Sequence, residues 1–154
     1  MKKYKCAAWF QLILFLLFIA VAFISSLYEL GSYANYVNGL ENADGAGLVV
    51  FAVAAIMLFS VPLSAVFAIV NICCALSLFR KNKPKKGALV WGIIANVFAC
   101  AGLILLAIFY FNLYPAGLFS KIFYLAVAAF ALATIVVDFV SLRKTREKEN
   151  VSTQ

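Results

Sequence analysis

The chain has 154 residues, of which 66% are hydrophobic and 12% charged, with a formal net charge of +7 and no histidine. An average soluble domain carries roughly a quarter charged residues, and a soluble core of this size has no room for so many apolar side chains, so the composition points to a membrane protein. The missing histidine removes Ser-His catalysis, histidine-bound zinc and histidine-held haem.

Four apolar runs set out the chain, each at least as long as the ~20 residues a helix needs to cross a bilayer. The first, residues 7–27, follows Lys2, Lys3 and Lys5. A basic start before an apolar run also suits a secretory signal, with Ser32, Tyr33 and Ala34 as a small-residue cleavage site. The run exceeds the usual ~7–15 residues of a signal core, so an uncleaved helix is expected. The next segment, 28–47, reads as an exterior loop with turn signals at Asn38-Gly39 and Asp44-Gly45 and acids at Glu29, Glu41 and Asp44. With Asn42 these acids faintly resemble a calcium loop, but the regular alternation and terminal glutamate are missing; a solvated loop with interfacial tyrosines is expected instead.

The second run, 48–79, is overlong. Residues 47–79 carry no charge and would extend about 50 Å as a helix, against a hydrocarbon core of ~30 Å. Pro62 near its middle removes one backbone donor and crowds the carbonyl a turn earlier, which predicts a kink. Ser60 and Ser64 flank the proline and can satisfy freed backbone carbonyls, making this a candidate hinge. A basic loop, 80–87, follows with Arg80, Lys81, Lys83, Lys85 and Lys86; then come a third span, 88–111, a second exterior loop, 112–121, with Tyr114-Pro115 as a helix stop and Lys121 at its end, and a fourth span, 122–142. The tail, 143–154, begins with Arg143 and Lys144.

Cationic short loops stay in the cytoplasm. Twelve of the thirteen Lys and Arg residues lie before span 1, between spans 2 and 3, or after span 4, so both termini are expected there. Topology explains the charge, which sets aside nucleic-acid binding and a nuclear localisation signal. Barrel strands are ~10 residues long and alternate in polarity, unlike these runs. The expected fold is a single all-α domain, a four-transmembrane-helix bundle of two antiparallel hairpins. A bacterial cytoplasmic membrane suits its short loops, with anionic lipid headgroups at Arg80, Lys81, Lys83, Lys85 and Lys86, each charge contributing about 1 kcal/mol near such a surface.

Small and polar residues mark helix contacts in a membrane. Ala88, Gly92, Ala95, Ala99 and Gly102 form one seam in span 3, and Ser64, Ala68, Asn71 and Ala75 a matching line in span 2, so these two faces are expected to meet. Asn71 and Asn96 both lie about 13 to 15 Å from the basic boundary at ~1.5 Å per residue, and their amides should pair. Asp138, the one acid inside an apolar run, is about 7 to 8 Å deep and within reach of Arg143 or Lys144. Gln11 stands at a similar depth and Thr134 one turn above Asp138, so Gln11, Thr134 and Asp138 are expected to join spans 1 and 4. An ionisable residue inside a span is a candidate for proton or ion handling. Without a second buried acid a paired-carboxylate protease has no support.

A weak similarity links the halves. Lys5 to Trp9 parallels Lys86 to Trp91, Ser26-Leu27-Tyr28 parallels Asn112-Leu113-Tyr114, and Ser77-Leu78 before Arg80 parallels Ser141-Leu142 before Arg143, the pattern of a parallel repeat or of membrane boundaries in general. The four cysteines, Cys6, Cys73, Cys74 and Cys100, avoid the exterior loops, and Cys73-Cys74 lacks C-x-x-C spacing. Apolar packing explains these thiols, with acylation of Cys6 as an alternative. Four spans with cytoplasmic termini resemble tetraspanins, claudins and MARVEL-domain proteins in topology alone, and no functional residues carry over. These observations predict a non-catalytic protein without cofactor or metal, a scaffold or accessory subunit of a membrane complex working through helix contacts. The alternative is a small oligomeric transporter or channel using Asn71, Asn96 and Asp138, with Pro62 as its moving part.

Overall fold

The computed structural model describes residues 4–24, 43–80, 85–113 and 118–152, with side chains over 4–24, 58, 60–80, 85–108, 119 and 121–145. Within them lie four helices: α1 (Lys5–Phe23), α2 (Ala43–Phe79), α3 (Lys85–Leu113) and α4 (Leu118–Ser152). Each contains a segment long and apolar enough to cross a membrane, namely Lys5–Phe23, Ser60–Phe79, Lys85–Ile108 and Lys121–Thr145. This is a multi-pass all-α membrane bundle.

The helices pack in a ring: α1 on α2, α2 on α3, α3 on α4, and α4 back on α1. Contacts along each pair run in opposite directions. Trp9 meets Phe79 while Phe18 meets Phe67; Lys85 reaches Leu78 while Asn96 reaches Asn71; Tyr4 meets Thr145 while Gln11 meets Asp138. Every neighbour is therefore antiparallel, and the start of α1 and the last turns of α4 share one end with Arg80 and Lys85. We call it the basic end.

The outer face suits lipid. Leu16, Phe23, Ile69, Phe98, Leu105, Ile122 and Phe139 are all exposed, and each helix keeps its backbone hydrogen bonds internal, as hydrocarbon requires. Trp9 and Trp91 stand exposed toward the basic end, where amphipathic rings favour the interface.

The helices continue past the apolar spans at several ends. Residues 43–47, read as exterior loop, are the first turns of α2 and include Asp44-Gly45; residues 85–87 open α3; residues 112, 113 and 118–121 are helical; and α4 continues through 143–152 of the tail. Hydropathy locates where a helix leaves hydrocarbon, whereas the backbone ladder ends only where a breaker or cap stops it, and Lys, Arg and Glu are good helix formers. Helix α2 runs unbroken through Pro62, whose ring is exposed. Outside the described residues lie Asn38-Gly39, Tyr114-Pro115, the 32–34 cleavage site, Glu29, Glu41, Lys81 and Lys83.

Two apolar clusters fill the interior. One, toward the basic end, contains Ala7, Ala8, Leu78 and Leu89. The other extends toward the far end and includes Leu14, Phe18, Ala68, Ala99, Leu103, Tyr124 and Ala131. Between them the chain positions of Gln11, Asn71, Asn96 and Asp138 interrupt the apolar sequence on every helix.

Candidate functional site: a buried polar layer

All four helices contribute to the layer. Gln11 comes from α1, Asn71 from α2, Asn96 from α3, and Thr134 and Asp138 from α4, each with 0% exposure. Depth follows from helix geometry: Gly92 and Asn96 lie one turn apart on α3, so the level of Asp138 and the level of the asparagines differ by about 6 Å.

Asn71 Nδ2 donates to Asn96 Oδ1 at 3.2 Å and to the backbone carbonyl of Phe67 at 2.8 Å. Nearer the basic end, Gln11 Nε2 donates to Asp138 Oδ2. Both contacts join residues that the sequence places at equal depth. Thr134 departs from expectation, because its hydroxyl donates to Phe130 O within α4, at 2.9 Å, a common resting place for a hydroxyl inside a helix. Arg143 and Lys144 are exposed, and the hydrogen bond to the Asp138 carboxyl comes from Gln11.

The layer is incompletely satisfied. Gln11 Oε1, Asp138 Oδ1, Asn71 Oδ1 and Asn96 Nδ2 are buried without a hydrogen-bond partner, and so is Ser60 Oγ. Leaving such a group unpaired costs about 1–3 kcal/mol.

Gly92 is a site residue that the spacing of small residues assigned elsewhere. Expected to face α2, it looks instead onto the junction of α1 and α4. A Cβ there would run into Gln11 Nε2 and stand 2.9 Å from Asp138 Oδ2. The missing side chain makes room for the pair. By contrast, Gly102 of the same seam faces Leu63 of α2 at an ordinary 3.8 Å. Cys74, three residues beyond Asn71, is also buried.

Ser60 and Ser64 are also buried, on the inner face of α2 toward the far end. They border a cavity of about 10 Å³ shared with Phe18, Leu63, Phe67 and Gly102, roughly the space one water requires. Together with Asn71 they make a polar line down α2. Lys121, expected in the second exterior loop, is instead buried on α4, because α4 begins before it; a lysine stem packs readily on apolar surface.

The basic end is tied by a second set of contacts. Lys85 Nζ donates to Leu78 O at 2.6 Å and Arg80 O at 2.7 Å, and stands 5.4 Å from the Tyr4 ring centre. This caps the carbonyl end of α2, where a cation is favoured, so Lys85 is directed to protein rather than to a headgroup. Thr145 Oγ1 donates to Ser141 O at 2.8 Å, which leaves the Tyr4 hydroxyl to donate to Thr145 at 2.9 Å. All four cysteines are free, Cys6 and Cys73 exposed and Cys74 and Cys100 buried. Among the described residues no group of three or more His, Cys, Asp or Glu side chains comes together.

The class that follows is a small all-α, multi-span membrane protein with a hydrogen-bonded polar layer inside its bundle. No family model matches the chain, nor does any curated protein or solved structure.

Proposed function

We propose that the protein is a small transporter or channel, working as an oligomer, in which Asn71, Asn96 and Asp138 line the route of a small polar or ionic solute. The observation that supports this best is the set of unpartnered polar atoms in the layer. Polar residues that serve only to hold helices together gain by satisfying one another, at about 0.6 to 2 kcal/mol per contact; here each pair leaves capacity over. The polar line from Ser60 through Ser64 to Asn71 extends the route toward the far end, and Pro62 supplies a point where α2 can bend. The basic end faces the cytoplasm by the distribution of Lys and Arg, in a bacterial cytoplasmic membrane, with Arg80 and its neighbours at anionic headgroups. On this reading the protein is not an enzyme.

A scaffold or accessory role draws support from a different observation: the interior is closely packed on both sides of the layer, and the cavity at Ser60 has room for about one water. Reconstitution into liposomes separates the two. Flux of protons or monovalent ions above that of protein-free vesicles, lowered by Asn71→Ala, Asn96→Ala and Asp138→Asn in folded protein, is the expected result. Folded parent protein with no flux above the empty vesicles would leave the scaffold reading in place.

A further inference from the structure

Gln11 and Asp138 meet with complementary ends. A primary amide offers N–H donors and one carbonyl acceptor, and a carboxyl offers two oxygens at similar spacing. One half of this match is made, with Gln11 Nε2 donating to Asp138 Oδ2. The other half consists of Gln11 Oε1 and Asp138 Oδ1, both buried and both without a partner. With the carboxyl ionised these two oxygens are acceptors only, and neither can satisfy the other. One proton on Oδ1 would change that: a cyclic pair, with the O–H donating to Gln11 Oε1 and the amide donating back to Oδ2, would satisfy both orphans at once.

We propose that Asp138 binds a proton at neutral pH as the neutral half of an acid–amide pair with Gln11, and that this proton is the ion the polar layer handles. The second clause rests on the transport reading above; the first stands without it. The surroundings favour the neutral form. From α1 the facing group is the uncharged amide of Gln11. From α2 the titratable neighbour is the buried thiol of Cys74, uncharged at neutral pH and so no cation for the carboxyl. From α3 the neighbour is Gly92, with no charge to offer, and Lys85 and Lys86 stand at the foot of that helix, Lys85 bonded to backbone carbonyls. On α4 itself Arg143 and Lys144 follow at the exposed basic end. A buried carboxylate without an adjacent cation gives up its charge more readily than it tolerates burial. The transfer is simple in balance: the carboxylate gains H⁺ from water on one side and releases it to water on the other, with no electron moved.

Infrared difference spectroscopy tests this in the full-length protein in lipid. A C=O stretch of a protonated carboxylic acid is expected at neutral pH, lost in Asp138→Asn, shifted in Gln11→Leu, and titrating away as pH is raised. Folding should respond with a definite sign: the folded state holds a proton that the unfolded chain releases, so stability falls as pH rises. Asp138→Asn should remove that slope and keep the folding equilibrium within about tenfold of the parent, because an amide N–H takes the place of the acid O–H. Absence of an Asp138-dependent acid band in folded parent protein would overturn the proposal. So would stabilisation by sodium at fixed pH in place of the band. Proton flux into dye-loaded vesicles reads the transport clause separately: a band without flux leaves the protonated pair intact and removes its use in transport.

Discussion

Replacing Gly92 with alanine tests the geometry of the polar layer more directly than removing any of its polar groups. The added methyl would collide with Gln11 Nε2 and come within 2.9 Å of Asp138 Oδ2, so either α3 retreats or the pair opens. Opening it adds two atoms to those already unpartnered. At about 1–3 kcal/mol for each the upper bound is about 6 kcal/mol, whereas measured polar contacts in membrane bundles average nearer 0.6 and reach about 1.7. Alanine returns up to about 1 kcal/mol through helix propensity. A net loss of about 1–3 kcal/mol is expected in reversible unfolding from mixed micelles. The same substitution in a Gln11→Ala background should cost far less, since the collision partner has gone, and a double-mutant cycle reads that coupling. If Gly92→Ala is neutral or stabilising in the parent, and additive with Gln11→Ala, the placement of Gly92 beneath the pair is wrong.

Other expectations follow from the remaining contacts. Asn71→Ala and Asn96→Ala should each destabilise by about 0.6 to 2 kcal/mol, and the double variant should cost less than their sum; strict additivity would show that the amides do not hold one another. Lys85→Met keeps the aliphatic stem but loses both bonds to the end of α2, and a fall of about 1 kcal/mol in unfolding free energy is expected, the charged bond being discounted for partial exposure. An unchanged value would show that this cap contributes nothing measurable. Cys6 and Cys73 are exposed whereas Cys74 and Cys100 are buried, so in a Cys73→Ser variant an impermeant maleimide should label Cys6 only after access to the cytoplasmic side; labelling of intact cells would reverse the proposed orientation.

Much of the bundle can be read from residue spacing. Helix rise per residue converts the distance from a charged boundary into depth, so spacing alone matches Asn71 with Asn96 and Gln11 with Asp138. What counting along a helix does not supply is rotation about it relative to two neighbours. Gly92 and Gly102 belong to one seam of small residues, yet one faces the α1–α4 junction and the other faces α2. Thr134 has the right depth and the right face, but its hydroxyl takes the nearer carbonyl of its own helix. Helix ends are not legible in the same way: apolar runs report the extent of hydrocarbon, and α2, α3 and α4 all continue beyond their apolar runs. Lys121 illustrates the result, a cation assigned to a loop by its charge and found buried on a helix.

The two polar contacts have one more property in common. Gln11 and Asn71 belong to the first half of the chain, Asn96 and Asp138 to the second, and each bond joins one half to the other. Aromatic contacts inside the first half, Trp9 with Phe79 and Phe18 with Phe67, are apolar, and can form as soon as α1 and α2 have entered the bilayer. Neither polar contact can therefore exist until helices from both halves are in place. The two bonds differ in when they become possible: Asn71 with Asn96 needs only α2 and α3, whereas Gln11 with Asp138 needs the first helix and the last, so the carboxyl contact is the one that closes the ring.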